Sequence, residues 1–413
     1  MARTRGVISM RSSSSGVAVV ALLFTTACVA TKSDAGSRTM RDSAGVQIIE
    51  NALPASAVAP FTLDASPVVD LGATANAHEE FSGVVLPVRL ADGRLVVANG
   101  GSHELRVYDS TGRWQQSIGR DGEGPGEFRS LGWLDLGVGD TIRTYDWSLL
   151  RISVFAPNGS FQRSTYLGAP GEFVGIRPVG VMSDGRIVAS TQNAVTINAK
   201  AGVHRDTVAV LAYDATGRLR DTLGHYLGSE AWVVRGPNSM SVSARPFGRD
   251  FFAAPQGSLL IVGTADSPEV QYVNADGRVS RIVRWSASKR PVTAADIEAF
   301  ITTAGEGWEP GSEERRKRYV ETLRTAPYPD EMPAYAAILV SQDGSLWIRR
   351  FADASQPAQS TFDVVDSSGV WLGSVQMPSQ FTPTQILADY AVGTWKEPDD
   401  VLHVRVYRIV RRR

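Results

Sequence analysis

The amino-acid sequence predicts an all-β six-bladed β-propeller of antiparallel four-stranded blades, with a small helical insertion between blades four and five. Three observations carry that prediction. Six times a short apolar strand follows a tight polar turn, at Asp92-Gly93-Arg94-Leu95, Gly139-Asp140-Thr141-Ile142, Asp184-Gly185-Arg186-Ile187, Gln256-Gly257-Ser258-Leu259, Asp343-Gly344-Ser345-Leu346 and Asp399-Asp400-Val401-Leu402. After five of these strands comes another strand and a hairpin turn that ends in glycine, at Gly112, Gly159, Gly217, Gly277 and Gly369. The units recur at a spacing of roughly 40–50 residues, the self-similarity that radial β-repeats leave in a sequence.

Each unit then follows from its residues. In the first, 95–98 and 105–108 alternate as strands, Asp109-Ser-Thr-Gly112 turns, and 114–118 returns, which is the pattern of an antiparallel meander. The second repeats it at 142–145, 152–155 and 161 onward, and the third at 187–190 and 210–213. The fourth has 259–262 and 270–273, and the fifth 346–348 and 362–365. The last strand, 401–410, has no hairpin after it, so a closed ring needs a donor, and the apolar stretch 46–50 is the expected one. Segments 61–63 and 68–71 read as further short strands. Between units four and five, Thr293-Ala-Ala-Asp296 is a capping box that opens a helix, and Ser312 with Glu313 and Glu314 opens a second. The insertion spans about 286–333, and insertions on repeat arrays gather on a working face.

Composition narrows the class. In a chain of 413 residues, 39 glycines and 21 prolines suit many tight turns rather than long helices. The formal net charge is -1, and three of the basic residues, Arg3, Arg5 and Arg11, lie in the first 27 residues, which contain no acid. The remainder is mildly acidic and offers no concentrated positive field, which argues against nucleic acid as a partner.

Those arginines lead into an apolar run, residues 16–24, then Thr25-Thr26-Ala27-Cys28. A charged start, a short apolar run and small residues make a secretory signal, too short to span a bilayer as a helix. Cys28 is the single cysteine, so neither a disulfide framework nor a Cys-ligated metal site is available. The sequence therefore divides into a signal at 1–27, a flexible tether of small polar residues at 28–41, and the propeller at 42–413.

Ala27-Cys28 resembles the bacterial lipobox, although Thr25 stands where that motif usually has Leu; the resemblance implies lipid attachment at Cys28, and Val29 implies sorting to the outer membrane. The stretch Ile118-Gly-Arg-Asp-Gly-Glu-Gly-Pro-Gly-Glu-Phe128, followed by Asp146 and by Arg151-Ile-Ser-Val-Phe155 with Gly159, resembles the NHL repeat. The opening Asp42-Ser-Ala-Gly-Val-Gln-Ile-Ile-Glu-Asn51 looks like the start of bacterial six-bladed propeller lipoproteins. The likeness is good over about residues 89–168 and thins to strand and turn pattern elsewhere. It speaks to fold far more than to function, since propellers host hydrolases, lyases and pure binding modules alike.

In NHL-type rings the loops after the second strands lie near the channel mouth, and by that resemblance Asn99, His103, Asp146, Trp147 and Arg151 are ligand candidates. Arg120, Glu123 and Glu127 on the Gly-rich loop are further candidates. The competing structural reading is that Asn and Asp cap tight turns, and that the loop joins two blades with Phe128 as a plug between them. The five histidines, at 78, 103, 204, 225 and 403, show no metal-ligand spacing, and no nucleophile elbow or phosphate loop occurs.

The expected function is that of a lipid-anchored, exported, monomeric binding module whose partner is an envelope protein, a peptide or a glycan. No cofactor is expected. The alternative is a lactonase or lyase with calcium or zinc held on the channel axis by residues from several blades, and a third reading is a scaffold in an envelope complex.

Overall fold

The structure, a computed structural model, describes residues 38–412 apart from 53–57, 74–75, 172–174, 193–198, 237–238, 307–310, 356–358 and 398–400. The signal-type segment, Cys28 and the tether as far as residue 37 lie outside the described residues.

Six antiparallel blades make the ring. Blade one comprises Val85–Arg89, Leu95–Asn99, Glu104–Tyr108 and Trp114–Ile118, and blade two Leu131–Leu136, Ile142–Asp146, Arg151–Phe155 and Phe161–Tyr166. Blade three is Ile176–Val181, Ile187–Thr191, Thr207–Tyr213 and Leu219–Leu227; blade four is Phe252–Gln256, Leu259–Gly263, Glu269–Val273 and Val279–Trp285. Blade five follows with Ala337–Val340, Leu346–Arg349, Thr361–Val365 and Trp371–Gln376, and blade six with Phe381–Ile386, Tyr390–Lys396 and Leu402–Arg411. Each blade runs outward from the channel, and the first strands of neighbouring blades lie against one another around the axis. Second and third strands are sandwiched on both faces, so they are buried almost throughout; Leu95–Asn99 is buried at every residue, whereas the outer Phe161–Tyr166 is largely exposed. The core is accordingly a set of inter-blade layers, for example Val88, Leu105, Ile118, Phe128 and Phe155 between blades one and two.

This strand order puts two kinds of connection on each face. The loops from second to third strand and from one blade to the next share what we term the upper face. The Asp-Gly turns and the glycine hairpins share the lower face.

Closure differs from the expectation in its donor. The strand Val46–Asn51 does not complete blade six; it pairs in parallel with Val279–Trp285 on the outside of blade four. Blade six is completed by Phe61–Leu63 and Val69–Leu71, which both pair antiparallel with Leu402–Arg411. The first strand of blade six is Phe381–Ile386, and Leu402–Arg411 is its third strand rather than the second. Pairing also starts before the expected end of the tether, since the fully exposed strand Arg38–Ser43 forms a hairpin with Val46–Asn51.

Between these two attachments the chain crosses blade five. Val58 bridges Ser374, and the Ala59 amide donates to the Ser374 carbonyl at 3.0 Å. A side chain at Gly373 would collide with the Ala59 backbone, and its φ of +133° already restricts the position to glycine. Asn51, 6% exposed, ties the segment down. Its Nδ2 donates to the carbonyls of Arg284 (3.2 Å) and Gly369 (3.0 Å), and its Oδ1 accepts from the Trp371 amide at 3.1 Å.

Two additions rise from the upper face. Helices α1 (Ala294–Ala304) and α2 (Glu313–Arg324) form the insertion between blades four and five, and α1 opens on the expected capping box of Thr293 and Asp296. Ser312 precedes α2, but its hydroxyl accepts from Arg315 instead of capping an amide. A three-stranded sheet of Gly202–His204, Ala231–Arg235 and Met240–Ala244 was not anticipated from the sequence. The two additions meet at Phe247, whose ring lies 5.2 Å from Phe300, 5.7 Å from Tyr328 and 6.2 Å from Phe351.

Asn51→Ala leaves a buried amide and two carbonyls unpaired across blades four and five. The substitution is expected to lower the unfolding free energy by about 2–3 kcal/mol in urea titrations.

Candidate functional site

The upper face carries all of the ligand candidates read from the sequence; Asn99, Asp146 and Arg151 bond mainly the backbone, and Arg120, Glu123 and Glu127 make ion pairs. Asp146 is 2% exposed; one carboxylate oxygen accepts from the amides of Arg129 (2.7 Å) and Ser130 (2.9 Å), the other from those of Ser148 (3.0 Å) and Leu149 (2.9 Å). Asn99, equally buried, accepts from the Ser82 amide and donates to the Glu80 carbonyl and Ser102 hydroxyl. Arg151 pins the Gly-rich loop through the carbonyls of Glu123, Gly124 and Glu127 at 2.6–2.8 Å. Arg120 bonds Glu127, Glu127 also caps the Gly124 amide, and Glu123 lies 3.5 Å from Arg129. Trp147 packs edge-on against Tyr145 at 5.1 Å and lies over Gly132. His103 takes a left-handed φ of +55° and leaves a buried Nδ1 without a partner among the described residues. Phe128, 1% exposed, sits 6.0 Å from Phe155 between blades one and two. These residues gather around blades one and two as an inter-blade clasp.

The open chemistry lies across the ring. A cavity of about 610 Å³ occupies the upper mouth of the channel on the side of blades three and four. Its apolar wall comes from Trp133, Val179, Phe252 and Ile338 on first strands, and its polar wall from Arg177, Gln192 and Asp250. Arg177 is the odd residue of an otherwise apolar strand, Ile176–Val181; it is exposed to the cavity, and its guanidinium makes no ion pair or hydrogen bond with a described residue. Asp250 Oδ1 accepts from the Ser229 hydroxyl and from the Phe251 amide, which fixes that carboxylate at the rim. Thr191, at the place matching Asn99 and Asp146, accepts from the Ala209 amide and rigidifies the rim.

The additions on the upper face frame this cavity. Glu230, 6% exposed, joins the small sheet to blade four: its oxygens lie 2.9 Å from Arg245 and 2.9 Å from Arg249. Arg245 also donates to the Pro327 carbonyl, and Arg205 reaches Asp266 at 2.6 Å and the Thr264 carbonyl at 2.8 Å. Burial pushes the Glu230 carboxyl up, but the bonds from Arg245 and Arg249 outweigh it and hold the group below the usual glutamate range.

None of the five histidines lies on a first strand. His78 stacks on Trp114, His204 bonds the Lys200 carbonyl, and His403 is buried in blade six against Asp70. Among the described residues no group of three or more His, Cys, Asp or Glu is placed to hold a metal ion.

The sequence comparisons accord with this architecture. A family model, DUF5128, described as a 6-bladed beta-propeller, matches residues 79–163. No curated protein matches the chain in sequence. Among solved structures, a protein from Bacteroides fragilis is 12% identical with a TM-score of 0.48, covering 89% of this chain and 100% of that one. A member of the DUF4221 family from Bacteroides vulgatus is 8% identical, also at 0.48, over 85% and 99%. Virginiamycin B lyase from Staphylococcus aureus is 9% identical, at 0.40, again over 85% and 99%.

A depressed folded-state pKa at Glu230 contributes stability that is present above the ordinary glutamate range and is lost as the pH falls through that range to the lower folded value. Glu230→Gln is therefore expected to lower the melting temperature at pH 7 and to flatten the acid limb of its pH dependence. Thermal unfolding of both proteins between pH 7 and pH 3 checks this.

Proposed function

We propose that the chain is an exported, lipid-anchored binding module that holds an organic anion with an apolar portion at the upper mouth of its channel. Arg177 carries the reading. A guanidinium without a carboxylate partner, on the wall of a cavity, is a ready donor to a carboxylate or phosphate and offers it two parallel hydrogen bonds. Trp133 and Phe252 beside it provide area for the apolar part of the ligand. The cavity volume of about 610 Å³ suits a small molecule or the end of a longer one, within the roughly 300–1,000 Å³ of ligand pockets. The acidic end of an envelope peptide has that chemistry. Export and anchoring are supported by the basic start, the apolar run and Cys28.

The test is calorimetric titration with N-acetylphenylalanine and with its amide. The acid is expected to bind at least about tenfold more tightly than the amide, and Arg177→Gln to erase that difference. Equal binding of acid and amide, or a preference that survives in the variant, contradicts the assignment.

A further inference from the structure

On the lower face, three of the turns that join first to second strands are built alike. They are Asp92-Gly93-Arg94 in blade one, Asp184-Gly185-Arg186 in blade three and Asp343-Gly344-Ser345 in blade five. Their backbones coincide: the amides of Leu90, Met182 and Ser341 donate to the carbonyls of Arg94, Arg186 and Ser345 at 2.8, 2.9 and 2.9 Å. The three glycines have φ of +93°, +87° and +81°.

In blades one and three the aspartate holds the arginine twice. One carboxylate oxygen accepts the arginine amide, at 3.0 Å in both, and the other accepts Nε, at 2.7 Å for Arg94 and 2.8 Å for Arg186. The guanidinium so oriented reaches the glycine hairpin of the next blade. Arg94 donates to the Pro157 carbonyl at 2.9 Å, and Arg186 to the Ala275 carbonyl at 3.0 Å. Aspartate, guanidinium and carbonyl form a latch between blades.

Blade five keeps the aspartate and loses the guanidinium. Asp343 Oδ1 accepts the Ser345 amide at 2.9 Å and the Ser341 hydroxyl, while Oδ2 accepts nothing from a described residue. Beside it, between blades five and six, is a cavity of about 250 Å³. Its apolar lining includes Phe61, Trp347, Leu372 and Ile409, with the rings of Phe61 and Trp347 5.4 Å apart. Blade six has no hairpin at this point because its outer strands come from the N-terminal segment; Pro60, Phe61 and Arg411 stand in its place. Three aspartates, Asp343, Asp366 and Asp389, outnumber the one cation of the rim, Arg411, which does not bond Asp343. Burial raises the Asp343 carboxyl, but the Ser341 and Ser345 bonds outweigh it and keep the group below the usual range, hence ionised.

We propose that this cavity binds an alkylguanidinium group, which takes from outside the place that Arg94 and Arg186 fill from within their own blades. Asp343 Oδ2 accepts the ligand's N–H, and Phe61, backed by the buried Trp347, offers apolar area to its aliphatic part. A primary ammonium, a point charge without the planar fork, fits less well. The group is borne by an arginine side chain of a peptide or by a small alkylguanidine. The site is on the opposite face from the channel mouth and stands independently of the function proposed there.

The experiment is calorimetric titration of the full chain with n-butylguanidinium, n-butylammonium and acetyl-Gly-Arg-Gly-amide. The guanidinium compounds are expected to bind, the ammonium to bind about tenfold more weakly, and Asp343→Asn to weaken guanidinium binding about tenfold or more. Ser345→Arg puts a guanidinium of the chain itself beside Asp343, where Arg94 and Arg186 stand in their turns, and is expected to abolish binding. A peptide that binds more tightly than n-butylguanidinium assigns the source to a peptide partner; equal affinities assign it to a small molecule. Absence of guanidinium binding at millimolar concentration overturns the proposal, as does binding that Asp343→Asn leaves unchanged, a readout that holds even if Ser345→Arg fails to fold.

Discussion

The ring depends on one stretch of chain, from Val46 to Leu71, that contributes to three blades in succession. It adds a parallel strand to blade four, crosses blade five at Ala59, and supplies the outer strands of blade six. An open six-bladed array would leave the edge of Leu402–Arg411 unpaired, and an unpaired edge frays or recruits a foreign strand. Polar side chains fix the register at both ends of the stretch. Asn51 spans blades four and five, and Asp70 accepts from Arg405 Nε at 3.0 Å while its other oxygen lies 2.7 Å from His403 Nδ1. Arg405 in turn lies 3.4 Å above the Trp395 ring. With those contacts made, Val46–Asn51 is held on blade four and Leu402–Arg411 in blade six, with blade five between them.

The two faces then divide the labour. The lower face is mostly stitching: Asp-Gly turns reach glycine hairpins through Arg94 and Arg186, Gln256 in the blade-four turn donates to the Gly344 carbonyl in the blade-five turn, and the place where the hairpin stitch is missing is also the place where the hairpin gives way to separate chain segments. The upper face holds longer loops, and around blades one and two these are cross-linked by Asn99, Asp146 and Arg151. Around blades three to five the loops have grown into a sheet and two helices that frame the channel mouth. A rigid rim lies on one side and built-up loops on the other, and Arg177 on the channel wall makes no ion pair or hydrogen bond with a described residue.

Much of this was legible in the sequence because it is local. Turn chemistry at Asp92, Asp184 and Asp343, period-2 strands and the Thr293 capping box all depend on neighbours within a few residues, and all formed where expected. The partner of an edge strand is not local. The segments 46–51 and 61–71 look alike as short apolar strands, and only the three-dimensional ring decides which reaches blade six. The candidate site was obscured for a related reason. Asn99 and Asp146 attract attention as polar residues at repeated positions, yet that repetition reflects a shared backbone need, the capping of a loop. Arg177 repeats nowhere, and its one signal was a lone cation within the apolar strand Ile176–Val181.

The most direct test of the account is native-state hydrogen exchange resolved to single amides. If the N-terminal stretch is the clasp, amides of Val46–Asn51, Phe61–Leu63 and Val69–Leu71 open together with those of Leu402–Arg411, with one common opening free energy. Early exchange of Val69–Leu71 and Leu402–Arg411 while Val46–Asn51 stays protected would show that blade six opens by itself, and would contradict it.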